Sequence, residues 1–444
     1  MRTADFLKQL FYWLNNNAEY AVLRNYEGLP YNNNSRDIDI AIEKKEWIRI
    51  RKHLVELIQQ CGWNIVTYLN SDRLLTWVCG VVHEDDSVDL VQLDFFYQTS
   101  VFGIVLLGNK EILKCRQFNG NVYHADKCFE FLDKYLYDRA VGATYPEKYK
   151  ETLIAAENIP QVKSVIASLF GKDSIAACDK AGRNDLLKAA LKWNFRRFGI
   201  KTIFNCILFE YYRLKNYLWS PTGFSIGFTG PDGSGKTTVI ELLIELLGDV
   251  FRKAHACYHF RPTLFGNLGE VAHSAGVKQH VDRDYSNPHR GGKTGISSSL
   301  LRLIYYSTDY ILGYWVKVKS VVRLTRIVIF DRYYTDIICD SRRSRIYLNP
   351  KFLYGFGKLF IPSLDYNILL TASSNTILSR KCELDKEGID SINSKIDFLA
   401  GKKGYYKVLN ESTPGKAVAE ILRIVFSEQH KKNLKRMSLK NLLR

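Results

Sequence analysis

Among 444 residues there are only two methionines, ten prolines and nine cysteines. The cysteines (Cys61, Cys79, Cys115, Cys128, Cys178, Cys206, Cys257, Cys339, Cys382) form no CxxC pair. That excludes the usual spacing of a structural zinc site, and an odd, dispersed set reads as reduced core thiols of a cytoplasmic protein. A signal-peptide pattern is missing too: MRTADFLKQLFYWLNNNAEY has no apolar h-region with a small-residue cleavage site and reads as an amphipathic helix. Long hydrophobic runs are scarce. The longest, SSLLRLIYYSTDYILGYWVKV at about 298–318, is interrupted by Arg302 and Asp309. Unpaired charges at mid-bilayer are costly, so this run predicts a buried or amphipathic helix, not a membrane span. Internal repeats and low-complexity tracts are lacking; NNNS at 32–35 is a loop. Acidic residues are in deficit, 46 against 63 Lys and Arg, for a net charge of +17. Such a surface favours anionic partners: nucleotides, nucleic acid, acidic glycans or an anionic membrane.

What is present organises into blocks. Residues 1–150 alternate helical and strand-like patterns, with candidate strands YAVLRN, DIDIAI, NIVTYL, LLTWVCGVV and SVDLVQLDFFY. Residues 151–220 carry helical periodicity with basic clusters and read as a helical connector, ended by SPTG at 220–223. Residues 221–428 have the length of one α/β domain. Residues 429–444 form a basic tail. The wider stretch SEQHKKNLKRMSLKNLLR reads first as a solvated helix end, with peripheral contact to an anionic surface as the alternative.

The densest chemical signal is GPDGSGKTT at 230–238, between the apolar strand FSIGFT and the helix-like VIELLIELL. It fits G-x-x-x-x-G-K-[ST] in its required strand–loop–helix setting. Glycines let successive N–H groups face phosphate oxygens, and the helix N-terminus adds partial positive charge. Gly230, Asp232, Gly233, Ser234, Gly235, Lys236, Thr237 and Thr238 are therefore the candidate ATP-binding residues. Lys236 is placed for the β/γ-phosphates and Thr237 for Mg2+.

The block resembles the thymidylate kinase family, whose loop is close to G-x-D-G-x-G-K-[ST]-T. The resemblance extends to Asp331-Arg332-Tyr333 at the end of the strand-like RIVIF, similar to that family's D-R-[YH] motif. It implies Asp331 near the metal and Arg332 on the acceptor's anion; a strand-end carboxylate and an adjacent bidentate guanidinium suit those tasks. YNILLTA followed by a helix ending at Arg380 resembles the late strand and basic lid, implying that Arg380 neutralises charge on the transferring group. The resemblance covers about 223–428 and implies Lys236, Asp331, Arg332 and Arg380 as catalytic residues. Acceptor candidates are Arg261 in YHFRPTLFG, Arg332, Tyr333, and Arg343 and Arg345 beside Asp340 in DIICDSRRSRIYL. No Gln- and Phe-containing pocket of the kind that reads thymine is evident. The acceptor therefore stays open between a nucleoside monophosphate and a sugar or polyol, in nucleotide or surface-polysaccharide metabolism.

In the first block, Asp37 and Asp39 alternate on DIDIAI and so share a sheet face. Asp94, on SVDLVQLDFFY, is the favoured third carboxylate, and Asp89 would face the other way. Three converging carboxylates suit a divalent ion. The pattern resembles the nucleotidyltransferase superfamily over about 20–150. Its usual Gly-Ser pair is replaced by Arg24-Asn25-Tyr26-Glu27-Gly28.

The expected fold is thus α/β: a C-terminal P-loop NTPase parallel sheet flanked by helices, an N-terminal mixed α+β nucleotidyltransferase-like domain, and a helical connector. The expected activity is ATP- and Mg2+-dependent phosphoryl transfer to a small molecule. Alternatives are a bifunctional kinase and nucleotidyltransferase, or an ATP-gated regulatory module binding nucleic acid or membrane. No recognition-helix or aromatic nucleic-acid motif is present. Homodimerisation is compatible with the sequence.

Overall fold

The computed structural model describes residues 1–35, 37–218, 223–248, 255–262, 264, 295–323, 326–381 and 383–439. The chain divides into two compact units. One comprises Met1–His83, Asp89–Trp219 and Phe426–Arg444, the other Glu84–Val88 and Ser220–Val425. The fold is α/β throughout, with a mixed sheet in the first unit and a parallel sheet in the second.

The first unit is built on strands β1 (Tyr20–Val22), β2 (Asp37–Ile42), β3 (Asn64–Asn70), β4 (Leu74–Val82), β5 (Val88–Phe96), β8 (Gln117–Phe118) and β9 (Tyr123–His124). Their order is β3-β4-β5-β2-β1-β9-β8. The hairpin β6 (Gln98–Val101) and β7 (Ile104–Gly108) forms a separate two-stranded sheet. The period of two sorts side chains between two cores. Ile38, Ile40 and Ile42 of β2, with Val91, Leu93 and Phe95 of β5, join Trp47, Trp63 and Trp77 in one core. That core lies under helices Thr3–Asn17 and Lys44–Gln60. Ala41 and Phe96 join a second core with Phe131, Leu132 and Tyr135 of helix Lys127–Val141. Residues expected as a connector share this second core: Val162, Ile166 and Leu169 of helix Pro160–Phe170, and Leu186 and Ala190 of helix Arg183–Phe198.

The long helix Pro414–Leu439 extends into the basic C-terminal run. This run is not solvated all round, because one side of it covers the sheet edge. Ile65 N–H donates to His430 Nδ1 at 2.9 Å, and Asn433 Nδ2 donates to Ile65 O at 2.9 Å and Val66 O at 3.0 Å. These partners sit where the β3–β4 register shifts, on a strand whose outer edge would otherwise leave polar groups unpaired.

The second unit holds strands β10 (Phe224–Thr229), β11 (His255–His259), β12 (Ile327–Asp331), β13 (Tyr366–Thr371) and β14 (Tyr405–Leu409). They form a parallel sheet in the order β11-β12-β10-β13-β14, flanked by helices. Central β10 is wholly buried, as its run of apolar and small residues requires. The chain leaves β10 for β11 and β12 on one side and reaches β13 on the other. In such sheets the switch point opens a crevice outside the strands' carboxyl ends. The run at 298–318 is a helix, Ile296–Gly313, continued by a wider turn at Tyr314–Val318. Among the described residues no helix is long and apolar enough to cross a membrane.

Candidate functional sites

In the second unit the loop 230–235 joins β10 to helix Lys236–Gly248. Gly230 has no room for a side chain, since a Cβ there would lie 2.0 Å from Leu370 O. Gly233 and Gly235 have φ of 87° and 85°, the left-handed region that curls the loop. The first N–H groups of a helix have no partner within it, and this helix begins directly at the loop's end. Lys236 is buried and donates to Gly230 O at 2.9 Å and Pro231 O at 2.8 Å. Burial, then the neighbouring Arg332 charge, push its pKa down to about 7. Thr237 and Thr238 are exposed at the helix start, while Ser234 is buried in the loop.

Asp331 ends β12 in register with Phe228 of β10, which places it beside the loop. His259, in register with it on β11, meets its carboxylate at 3.0 Å. Burial works against ionisation, but the His259 hydrogen bond and the charges of Arg332 and Lys236 hold Asp331 below its ordinary range. Arg332 is buried with φ of 74°, strained for a side-chain-bearing residue. Its guanidinium bridges Asp232 at 2.5 Å and Asp336 at 3.0 Å. Arg343 also donates to Asp232, so that loop carboxylate holds two guanidinium groups, one from just past β12 and one from the short helix Ser341–Ser344. Asn410, just past β14, donates to Ser234 O at 2.9 Å. Exposed Arg380, at the end of helix Ser374–Arg380, donates to Asn410 O at 2.9 Å.

Several buried polar atoms without a hydrogen-bond partner gather in this crevice: Asp331 Oδ1, Arg332 Nε, Asp336 Oδ2, Arg343 Nε and Asn410 Oδ1. Buried polar groups are normally paired, so these atoms have hydrogen-bonding capacity that water or a polar ligand could fill; Arg343 Nε lies 3.6 Å from Asp340 Oδ2. The structure thus brings Asp232, Lys236, Asp331, Arg332 and Arg343 together around one loop. Arg261 and Tyr333 are engaged with the protein itself. Arg261 is buried, pairs with Asp309 at 3.0 Å and lies over the Tyr306 ring. Tyr333 donates to Pro362 O at 2.7 Å and packs on Tyr310. Arg345 is half-buried, with φ of 55°, at the end of the short helix. His259, Asp336 and Asn410 escaped sequence reasoning. His259 and Asn410 are signalled only by their positions at and just past strand ends, and Asp336 only by its i,i+4 spacing from Arg332.

In the first unit Asp37, Asp39 and Asp94 offer carboxylate oxygens that all lie within 4.8 Å of one another. Parallel pairing of β2 with β5 sets Asp39 directly opposite Asp94. The three occupy the face of the helix-covered second core, opposite to Ile38 and Leu93. Asp94 accepts from Thr76 Oγ1 and from Gln92 Nε2. Asp89 lies on the other face, against His83 and the Thr3 N–H. Arg24 fills the space beside the cluster, 2.5 Å from Asp39 and 2.9 Å from Asp133. Burial pushes the Asp39 carboxyl up; Arg24 pulls against this, while Asp37 and Asp94 add to it. A cation held by all three would relieve that repulsion, so the donor set fits a hard divalent ion.

No family model and no curated protein matches the chain. Among solved structures, the chain is similar to a thymidylate kinase from Ehrlichia chaffeensis. It is 17% identical, covers 46% of this chain and 98% of its own, and superposes with a TM-score of 0.31.

Proposed function

We propose that the second unit is a kinase, transferring a phosphoryl group from ATP to a small anionic acceptor, a nucleoside monophosphate or a phosphorylated or acidic sugar or polyol. The observation that carries this reading is the convergence of Arg332 and Arg343 on Asp232 inside a phosphate-binding loop. That carboxylate stands where an acceptor's anion would bind. Two guanidinium groups, each with an Nε lacking a hydrogen bond, are suited to take over an oxyanion bidentately. Loop N–H groups cradle the donor's phosphates, and Lys236 leaves its two carbonyls to neutralise them. Thr237 and Asp331 are the residues that would hold Mg2+, which supplies charge neutralisation on the phosphates. The unpartnered Asp331 Oδ1 and its suppressed pKa fit that task, and His259 orients the other oxygen. Arg380, tied to Asn410 beside the loop, lines the donor side. Lys236→Ala should abolish ATP-dependent phosphorylation while leaving the fold intact by circular dichroism; undiminished turnover overturns the reading.

A second reading belongs to the first unit and rests on the carboxylate cluster: divalent-ion-dependent nucleotidyl transfer. Asp37, Asp39 and Asp94 would hold the ion. The domain division behind both readings, a nucleotidyltransferase-like part followed by a thymidylate kinase-like part, remains a proposal. Transfer of a labelled nucleotidyl group that is lost in Asp37→Asn/Asp39→Asn, with phosphorylation retained, supports two activities. Absence of any such transfer by the unaltered protein removes the second.

A further inference from the structure

Helix Lys201–Leu218 in the first unit is oriented against the usual rule for surface helices. Its inward side buries little: Thr202 is its one buried residue, half-buried Phe209 meets Phe102 edge-on, and Asn216 donates to Asn70 O at 3.1 Å. The helix backbone at Asn205 and Cys206 is approached so closely by Gly103 that any Cβ there would meet it at 2.6 Å. The outward side is apolar. Ile203, Phe204, Ile207, Tyr211 and Leu214 are between 46% and 62% exposed, and Ile200, just before the helix, is 71% exposed. At 3.6 residues per turn and 1.5 Å per residue these positions form one continuous stripe about 20 Å long. A contiguous apolar patch rimmed by charge marks an interaction surface.

The charge around the stripe selects its occupant. Residues 192–215 contain Lys192, Arg196, Arg197, Lys201, Arg213 and Lys215 against a single acid, Glu210, which pairs with Arg213. Two copies meeting through this face would set cations against cations. A nucleic-acid backbone would meet aliphatic side chains. An apolar stripe edged by Lys and Arg, with tyrosines at its margin, is what an anionic lipid surface accepts. Since no described helix can span a bilayer, the helix would lie in the interfacial plane. We propose that helix Lys201–Leu218 docks the protein on anionic membrane surfaces, inserting Ile203, Phe204, Ile207 and Leu214 among the lipid chains while Lys201 and Lys215 meet the headgroups.

The test is flotation of the full-length protein with vesicles of phosphatidylcholine containing about one-third phosphatidylserine, and with phosphatidylcholine alone. The protein should float with the first at least about tenfold more strongly than with the second. Ile207→Glu/Leu214→Glu alters only exposed positions and should lower binding at least about tenfold with unchanged thermal unfolding. Should that variant fail to fold, Lys201→Glu/Lys215→Glu takes its place with the same expected loss. Failure of the unaltered protein to float with anionic vesicles overturns the proposal, as does equal flotation of folded variants. A vesicle-free dimer that Ile207→Glu/Leu214→Glu dissociates would assign the face to a second copy and also overturn it.

Discussion

Replacing Lys236 by methionine separates what this residue does for a bound phosphate from what it costs the free protein. Its ammonium is buried, and burial with the Arg332 charge brings its pKa from 10.5 to about 7. Between those values the unfolded chain holds a proton that the native protein does not. Native stability therefore rises with pH across that window and is lowest at and below about pH 7. At ~1.4 kcal/mol per pKa unit, the penalty at and below neutrality is at most about 5 kcal/mol. Methionine removes that penalty but leaves the carbonyls of Gly230 and Pro231 without their donor, at about 1 kcal/mol each. The expected net effect at pH 6.5 is a gain of about 3 kcal/mol, or roughly 6–12 °C in Tm for a unit of this size. Above pH 7 the advantage shrinks by ~1.4 kcal/mol per unit and vanishes near pH 9. Nucleotide binding should be lost at every pH. Differential scanning calorimetry of both proteins at pH 6.5 and 8.5, without nucleotide, is the assay. A variant less stable than the unaltered protein at pH 6.5, or a difference that does not change with pH, refutes the reasoning.

Three further outcomes are expected. Because the Asp39 carboxyl is pushed up by burial, a divalent ion must displace a proton there. Mn2+ should therefore raise Tm more at pH 8 than at pH 5.5, and this rise should disappear in Asp37→Asn/Asp39→Asn. Arg343→Met should raise the acceptor KM by about 10- to 100-fold, the worth of a hydrogen bond to a charged group, with ATP affinity changed less than about twofold. An equal loss in both would place Arg343 on the donor side. Asn433→Ala should destabilise the first unit by about 2 kcal/mol in urea unfolding, since Ile65 O and Val66 O lose their donor.

Local pattern made much of this legible. DIDIAI and SVDLVQLDFFY alternate as strands, so the shared face of Asp37, Asp39 and Asp94 followed from the pleat. FSIGFT, the glycine loop and the following helix were legible as strand, loop and helix from the spacing of their residues. Pairings between distant residues were not legible. Arg343 reaches Asp232 across 111 positions, and Arg24 reaches Asp133 across 109. No periodicity encodes which carboxylate an arginine will meet. Arg261 shows the converse: a lone arginine before a proline looks free in sequence, yet Asp309 and Tyr306, on a helix some 45 residues later, enclose it. The basic C-terminal run likewise looked solvated because its buried described members, Gln429 and Asn433, are polar, and it is Asn433, with His430, that serves a strand edge.

The central claim is that the loop at 230–238 serves phosphoryl transfer to an acceptor held by Arg332 and Arg343. The direct measurement is an acceptor screen with γ-labelled ATP and Mg2+ across nucleoside monophosphates, sugars and sugar phosphates. Label should move to an anionic acceptor, and the transfer should vanish with Lys236→Ala and weaken with Arg343→Met. Label transfer that survives Lys236→Ala, or ATP binding with release of phosphate to water alone across the whole panel, would contradict it.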